Sequence, residues 1–292
     1  MNFGIILAIS SAMTHGISAT FTRKGGIHSG ESFSPVIIDV AVGTLLFIII
    51  SFFTGEWIKV LSISRQSLIL LIVAGVIHFI FGRFLNYSCI RLLGANRATA
   101  IFRTQMFYAV FFGVLLLDEP LTVFLLSGVI CIAVGALLVS TQRGSEVKKI
   151  RSLGIISGLA GSFFWGISSV VLKPAIAEIG SPYAAILVSY TSSFLIMLIF
   201  SIFSRHRQKL FDLRKESLIP YLFAAMLNSV GNLFRYSALG YIPASLVVPI
   251  MSTSSIFTLL FSFIMNRNVE IFSKKIIAGI MIAILGTFLL SR

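Results

Sequence analysis

Arg83, Arg103 and Arg235 lie inside long apolar stretches of this 292-residue chain. An arginine at the centre of a membrane helix costs about 2.5–3.5 kcal/mol on insertion scales, so each guanidinium must face a partner, water or a ligand. Its planar fork of donors matches the oxygens of a carboxylate or a phosphate. The three arginines therefore predict a polar cavity that binds an anion. The alternative is a salt bridge inside the protein, with another arginine reaching towards the membrane surface.

Two further ionisable side chains are predicted to lie at the depth of Arg83 and Arg103. Counted from the ends of their apolar stretches at 1.5 Å per residue, both arginines lie about 9–12 Å below one membrane face, and His15 and Asp39 lie at a similar depth. Four ionisable groups at one level predict a water-filled vestibule with net positive charge. Asp39 is the candidate counter-ion of one arginine, because it is the single acid that we place inside an apolar stretch.

A narrow polar stripe runs along the apolar stretch that contains Arg235. Asn228, Asn232 and Arg235 are spaced i, i+4 and i+7, which places them within about 60° of arc on a helix, with Tyr236 at the border. Such a stripe is predicted to line the cavity. The alternative is hydrogen bonding between helices, which is worth about 0.6 kcal/mol on average in membranes. The predicted substrate-binding residues are His15, His78, Arg83, Asn86, Arg103, Trp165, Asn228, Asn232, Arg235 and Tyr236.

Trp165 and Pro249 carry two further hypotheses. Trp165 stands away from the expected membrane interfaces, where it either stacks on a substrate or packs in the core. Pro249 frees a backbone carbonyl, and the following run Ser252-Thr253-Ser254-Ser255 offers hydroxyls that can satisfy it. We therefore expect a bend in this helix, which is either a gating hinge or a static kink.

The composition fits a protein that lipid surrounds. The chain is 57% hydrophobic and 11% charged, whereas a typical soluble domain carries about 25% charged residues. The net charge of +13 lies mostly in short connections between apolar stretches, as in cytoplasmic loops of membrane proteins, so nucleic-acid binding is not expected. Cys89 and Cys131 lie inside apolar stretches without a metal-binding spacing, which indicates packing. No metal or cofactor is predicted.

Ten apolar stretches are long enough to span a bilayer, which takes about 20 residues in a helix. We therefore predict an all-α integral membrane protein with ten transmembrane helices. The connections between the stretches are too short to hold a soluble domain. The stretches are 2–22, 33–53, 67–91, 97–117, 120–140, 153–173, 183–203, 218–240, 243–265 and 271–291.

The two halves of the chain repeat one another. Gly16-Ile17-Ser18 recurs as Gly166-Ile167-Ser168, and Glu119 recurs as Glu270, with offsets of 149–151 residues along the whole chain. Because five helices per half is an odd number, the second half enters the membrane from the opposite face, an inverted arrangement found in many secondary transporters. The predicted units are a first five-helix repeat at 1–140, a linker at 141–152 and a second five-helix repeat at 153–292.

Two motifs carry a resemblance to a known family. They are RLLGANRATAIFRTQMFYAVFFGVLLLDEPLTVFLLSGVICIAVGALLV at 91–139 and GSFFWGISSVVLKP at 161–174. Both resemble the EamA-type branch of the drug/metabolite transporter superfamily, and the likeness covers both halves. It implies ten helices around a central cavity and the movement of small metabolites, often export. The second half departs from the pattern at Arg267-Asn268-Val269-Glu270, where a Gly-Glu turn is expected.

The distribution of basic residues predicts the orientation. If the connections alternate between the two faces, one side holds 16 of the 23 Lys and Arg residues, and the other side, with both termini, holds four. The positive-inside rule places the larger group in the cytoplasm and both termini outside. Members of the superfamily are often described with cytoplasmic termini, so the charge count and the resemblance differ on this point.

The combined prediction is a multi-pass protein of the cell membrane, inner or plasma, that moves a small organic metabolite by alternating access. The substrate is an amino acid or another organic anion, and export is the expected direction. Because no Glu lies inside an apolar stretch, strong proton coupling is not expected, although His15 or His78 offers a proton step. The expected partners are the small-molecule substrate, membrane lipids and a second copy of the chain in a homodimer.

Two other classes of function are weighed against the carrier. A flippase would use the arginines to hold the phosphate of a lipid or lipid-linked headgroup, and an opening towards lipid would mark it. A membrane-embedded enzyme acting on lipid would need a nucleophile–base pair or metal ligands at a common depth. The sequence offers no such set, no His-x-x-x-His motif and no glycine-rich phosphate loop. The enzyme is therefore the weakest of the three hypotheses.

Overall fold

The computed structural model describes residues 2–28, 33–119, 122–141, 148–203, 215–270 and 272–290. This part of the chain is helical and contains no strand, so the predicted all-α class is confirmed for it. A single helical turn, Trp57–Val60, lies between the second and third long helices. The long helices are α1 (Asn2–His28), α2 (Phe33–Thr54), α3 (Arg65–Leu93), α4 (Ala95–Leu117), α5 (Val123–Thr141), α6 (Lys148–Ile179), α7 (Pro182–Phe203), α8 (Lys215–Tyr241), α9 (Ala244–Met265) and α10 (Lys274–Leu290).

Eight of these helices are long and apolar enough to cross a bilayer, namely α1–α4 and α6–α9. The other two, α5 and α10, are apolar helices of 19 and 17 residues. They pack against each other, and Gly128 and Gly135 of α5, like Gly279 and Gly286 of α10, are buried. The count of ten membrane-spanning helices therefore stays a prediction beyond these eight.

Both α4 and α9 are interrupted near their middle, at 103–104 and 252–253. At each break a threonine hydroxyl, of Thr104 or Thr253, donates to the backbone carbonyl three residues earlier at 2.8 Å. Such local bonds compete with the regular i→i−4 ladder. The helical segments on either side are Ala95–Phe102 and Gln105–Leu117 in α4, and Ala244–Met251 and Ser254–Met265 in α9.

The predicted bend at Pro249 lies next to the break in α9. The Ser252 N–H donates to the Pro249 carbonyl at 2.8 Å, a bond over three residues instead of four. In α4, the Arg103 N–H makes the same type of bond to the Ala100 carbonyl at 3.2 Å without a proline nearby. The breaks therefore do not depend on proline alone, and the threonine bonds common to both helices account for their shared shape.

A π-helical segment, Val76–Gly82, interrupts α3. It contains His78 and ends immediately before Arg83. A π segment holds more residues per turn than an α-helix, and such segments are frequent at functional sites. This segment therefore changes the directions in which His78 and Arg83 leave the helix axis.

Two groups of helices meet around the breaks. The first bundle is α1, α8 and α9, because α1 packs against the other two, and the second bundle is α3, α4 and α6, because α6 packs against the other two. A Cβ atom on Gly16 would lie 2.6 Å from the carbonyl oxygen of Ser254, and one on Gly166 would lie 2.5 Å from that of Gln105. A close-packed interior has no room for these atoms, so glycine is what lets α1 and α6 approach the two breaks.

Candidate functional site

Asp39 on α2 and Arg83 on α3 form an ion pair in the interior of the protein. Oδ2 of Asp39 lies 3.1 Å from Nε of Arg83, and the two side chains are 0% and 1% exposed. Oδ1 of Asp39 accepts hydrogen bonds from the Tyr87 hydroxyl at 3.1 Å and from the Asn228 side-chain amide at 2.7 Å. The pair has the geometry of the internal salt-bridge alternative, with Asp39 as the counter-ion of Arg83.

The hydrogen bonds around this ion pair connect four helices. The Asn228 amide of α8 also donates to the Tyr87 hydroxyl of α3 at 3.3 Å. The Asn228 side-chain oxygen lies 3.3 Å from Nδ1 of His15 on α1, and Asp39 adds α2. Because removing one partner of a buried ion pair leaves an uncompensated charge, the network favours a single arrangement of these helices.

Arg235 on α8 has no comparable counter-ion. The residue is 3% exposed, and none of the ion pairs among the described residues includes it. Nη1 donates to the hydroxyl of Ser169 on α6 at 3.1 Å, and Cζ lies 5.3 Å from the ring centroid of Tyr236. Nε and Nη2 are buried without a hydrogen-bond partner. Buried donors left in this state are destabilising unless water or a ligand fills the site.

Arg103 lies at the break in α4 and reaches the break in α9. Nε donates to the Thr99 carbonyl at 2.7 Å, and Nη1 donates to the Met251 carbonyl at 3.1 Å. Met251 ends a helical segment, and the carbonyl end of a helix carries partial negative charge. Backbone carbonyls therefore offset part of the charge of Arg103, whereas the hydrogen bond of Arg235 within the described part of the chain goes to the neutral hydroxyl of Ser169.

Trp165 on α6 packs on His78 of the π-helical segment. The two rings are stacked with centroids 5.2 Å apart and 18° between their planes, and the indole N–H donates to the His78 carbonyl at 3.1 Å. Cζ of Arg83 lies 5.6 Å from the indole centroid, within the range of a cation–π contact. In this conformation Trp165 therefore packs on protein groups, while part of its ring faces open space.

Two clefts lie among these side chains. The Arg235 cavity and the Arg83 cavity each have a volume of about 40 Å³, and about 420 and 360 Å³ respectively when all the space between their atoms, including open solvent, is counted. Both are lined by His15, Arg103, Trp165 and Ser254. The Arg235 cavity is also lined by His78, Gln105, Ser169, Arg235, Val248 and Met251. The Arg83 cavity is also lined by Ser18, Ala19, Thr22, Arg83, Asn86, Thr99, Phe102 and Asn228.

Eight of the ten predicted substrate-binding residues line these two cavities. The other two do not, because the Asn232 amide donates to the Tyr190 hydroxyl at 3.1 Å and Tyr236 lies in the hydrophobic core. The polar stripe of α8 is thus divided between a contact with α7 at Asn232 and cavity contacts at Asn228 and Arg235. No acidic residue lines either cavity in the part of the chain that the structure describes, so both are basic.

Three polar residues of the Arg235 cavity were missed by sequence reasoning: Gln105, Ser169 and Ser254. Ser169 lies four residues after Trp165 and therefore on the same face of α6, which is the signal that could have found it. Gln105 and Ser254 begin the helical segments that follow the two breaks. Their position in the cavity depends on the two breaks, of which the sequence pattern marks the one in α9, through Pro249, and not the one in α4.

Known proteins resemble this chain in sequence and in fold. The family model described as the EamA-like transporter family matches residues 2–141 and 152–292. A relative from Methanothermobacter thermautotrophicus, named an uncharacterized transporter, is 23% identical over 306 aligned positions, which cover 99% of this chain and 86% of the relative. A protein of known crystal structure is 15% identical with a TM-score of 0.70, over 98% of this chain and 94% of its own. That likeness is one of fold.

Proposed function

Because the chain belongs to the EamA-like transporter family, we propose that it carries a small organic anion across the membrane through the Arg235 cavity. One observation supports this most. Arg235 lines the cavity, and its Nε and Nη2 are buried there without a hydrogen-bond partner. A guanidinium can donate two parallel hydrogen bonds to one carboxylate. The proposed substrate is an amino acid or another small organic anion.

The chain is a multi-pass protein of the cell membrane, inner or plasma. We extend the proposal to ten membrane helices in two inverted repeats, with α5 and α10 as the remaining spans. The family match at 2–141 and 152–292 supports repeats at 1–140 and 153–292 joined by the linker 141–152. Inversion gains support from α4 and α9, since the end of each lies beside the start of the other.

Alternating access is the proposed mechanism, with export as the direction and both termini outside. The breaks in α4 and α9 support it, because carriers place substrates at discontinuous helices near the membrane midplane. Strong proton coupling is not part of the proposal, since Arg83, Tyr87 and Asn228 already hold Asp39. An imposed pH gradient is therefore not expected to drive the flux. The homodimer stays a prediction.

The flippase alternative needs a path between the arginines and the surrounding lipid. An apolar groove of about 340 Å³ lies on α2, α3 and α7, and its lining residues include Phe33, Phe84 and Phe200. It shares no lining residue with the Arg235 cavity or the Arg83 cavity. The anion carrier is therefore proposed ahead of the flippase, and a lipid-modifying enzyme ranks below both.

A ligand screen on the purified protein tests the proposal. An anion at 100 times its Kd stabilises the protein that binds it by about 2.7 kcal/mol. We expect members of a panel of amino acids and small carboxylates to raise the unfolding temperature, and Arg235→Gln to abolish the rise. Arg65→Gln, which removes an exposed arginine at the start of α3, is the matched control and keeps it. An unchanged rise in Arg235→Gln, or none with any anion, contradicts the proposal.

A further inference from the structure

Glu119 follows the end of α4 and caps the start of α9. Its Oε1 accepts a hydrogen bond from the Ala244 N–H, and its Oε2 accepts one from the Ser245 N–H, each at 3.1 Å. Oε1 also lies 3.3 Å from Nζ of Lys173 on α6. The first N–H groups of a helix lack partners within the helix, and this end of the helix is electropositive. A buried carboxylate therefore satisfies both requirements here.

Glu270 makes the matching contacts after the end of α9. Its Oε1 accepts a hydrogen bond from the Ala95 N–H at 2.6 Å, and its Oε2 accepts one from the Asn96 N–H at 3.2 Å. Oε1 lies 3.4 Å from Nε of Arg23 on α1. Each of the two interrupted helices is thus capped at its start by the glutamate that follows the end of the other. Glu119 and Glu270 are also equivalent residues of the two sequence repeats.

The two caps lie at opposite ends of the α4–α9 pair. These helices contain 23 and 22 residues, so at 1.5 Å per residue the caps are separated by about 33–35 Å. This distance is about the thickness of the hydrocarbon core of a bilayer. The bond from Arg103 to the Met251 carbonyl, beside the Arg235 cavity, joins the same two helices at their breaks. Each cap therefore lies towards one membrane face, with the cavity between them.

Each cap joins the first bundle to the second bundle. Glu119 and Lys173 belong to the second bundle, and Glu119, paired with Lys173, binds the start of α9, which belongs to the first. Glu270 and Arg23 belong to the first bundle. Glu270 binds the start of α4, and Arg23 donates to carbonyls at the end of α3, both in the second bundle. Moving the bundles apart at one face breaks one cap and can leave the other intact.

We propose that Glu119 and Glu270 are the gate residues of the transport path, one towards each membrane face, and that they release the opposite bundle in alternation. This inference rests on the proposed transport function. With both caps formed, the path is closed at both faces. When one cap opens, water can hydrate the released carboxylate and the two exposed N–H groups, which keeps the opening reversible. Lys173 stays with its own bundle, whereas opening at the Glu270 cap also breaks the hydrogen bonds from Nη1 of Arg23 to the Ile90 and Arg91 carbonyls of α3, at 3.4 and 3.0 Å.

Thiol accessibility at one cavity position measures the opening of each gate. Ser254 lines both cavities, so Ser254→Cys, in a chain with Cys89→Ala and Cys131→Ala, provides a single reporter thiol. A membrane-impermeant maleimide is added to one face at a time in vesicles of uniform orientation. The labelling rate from each face reports how often the path opens there, and the assay requires no substrate.

Removing one cap is expected to open one face. In the reporter chain, Glu119→Ala raises the labelling rate on the order of ten-fold from the face at which α4 ends, because a lost cap shifts an equilibrium by about this factor. Glu270→Ala raises it by a similar factor from the opposite face. Glu216→Ala, which removes an exposed carboxylate in the first turn of α8, changes neither rate. Equal acceleration from both faces, or none in either variant, overturns the proposal.

A second pair of variants keeps the test valid if a glutamate variant fails to fold. Ser245→Pro and Asn96→Pro each remove one N–H donor from a cap and leave the glutamate in place, and proline is tolerated in the first turn of a helix. The same face-specific acceleration is expected from each, and labelling that stays equal to that of the reporter chain counts against the gates. Because labelling needs no ligand, this result is separate from the anion screen. The labelling assay can support the gates even when no anion in the screen stabilises the protein.

Discussion

The guanidinium of Arg235 donates to the hydroxyl of Ser169 at 3.1 Å, and both side chains line the Arg235 cavity. A hydroxyl satisfies one donor but does not balance the positive charge. Arg83 differs, since Asp39 lies 3.1 Å from its Nε. Arg103 also lacks a carboxylate partner among the described residues, but it donates to the carbonyls of Thr99 and Met251. Arg235 has neither a carboxylate nor a carbonyl partner among them, and it is the position that an incoming anion would occupy.

Placing a carboxylate beside Arg235 is expected to block the cavity from within. In Ser169→Asp, the new acid lies within reach of Nη1 and competes with any external anion for the guanidinium. We expect the Kd of a bound carboxylate to rise at least about ten-fold, equivalent to about 1.4 kcal/mol. Ser169→Asn is the control, because its side chain is uncharged and similar in size to that of aspartate. Its Kd for the carboxylate should stay within about three-fold of the native value. Equal loss in both variants would point to crowding and not to charge.

Neutralising Asp39 is expected to destabilise the fold. Asp39→Asn leaves Arg83 buried without its counter-ion, and breaking a buried pair in this way costs about 3–5 kcal/mol. The double variant Asp39→Asn with Arg83→Gln should recover much of that loss, because no buried charge then remains at the site. Chemical unfolding of the detergent-solubilised protein measures both free energies. A double variant as unstable as the sum of the two single variants would mean that the pair is not coupled.

The close approach of α1 to the break in α9 is expected to require glycine. Gly16→Ala places a Cβ atom 2.6 Å from the Ser254 carbonyl oxygen, and overpacking of this kind typically costs about 1–3 kcal/mol. Gly26→Ala in the same helix meets only the Tyr221 hydroxyl at 3.7 Å, so it should stay within about 0.5 kcal/mol of the native stability. Thermal unfolding of the two variants side by side gives the comparison. Equal stability of Gly16→Ala and Gly26→Ala would show that the groups around Gly16 move apart to accommodate the added methyl group.

Depth along a helix could be predicted from the sequence, because the rise per residue is fixed by the backbone. Helix geometry predicts one level for His15, Asp39, Arg83 and Arg103, and in the structure Asn228 connects His15 to the Asp39–Arg83 pair. Rotation about each helix axis could not be predicted to the same degree. The pattern left open which arginine Asp39 would meet, because that choice depends on how α2 packs on its neighbours.

The sequence pattern predicts one of the helix interruptions, the bend at Pro249, and not the others. Thr104 and Thr253 end regular segments through bonds to carbonyls three residues earlier, but threonines make similar bonds inside intact helices as well. Pro249 marked one break and gave no sign of the other. The π-helical turn that contains His78 has no residue signature, so the contact between His78 and Trp165 could not be inferred. These features depend on the packing of neighbouring helices.

The two glutamate caps, Glu119 on the start of α9 and Glu270 on the start of α4, show what a repeat can and cannot predict. The offset of 149–151 residues paired Glu119 with Glu270 from the sequence. Equivalence alone did not say that each would bind the backbone of the other repeat, because that contact requires α4 and α9 to lie side by side in opposite directions. A repeat therefore identifies matching residues, and the packing of the two halves decides what they contact.

The most direct test of the anion carrier is counterflow into proteoliposomes preloaded with the carboxylate that stabilises the protein most. We expect saturable uptake of the labelled anion by the native protein and by Arg65→Gln, and uptake at least about ten-fold slower in Arg235→Gln at equal folded protein. Undiminished saturable uptake in Arg235→Gln would contradict the central claim that this guanidinium binds the transported anion.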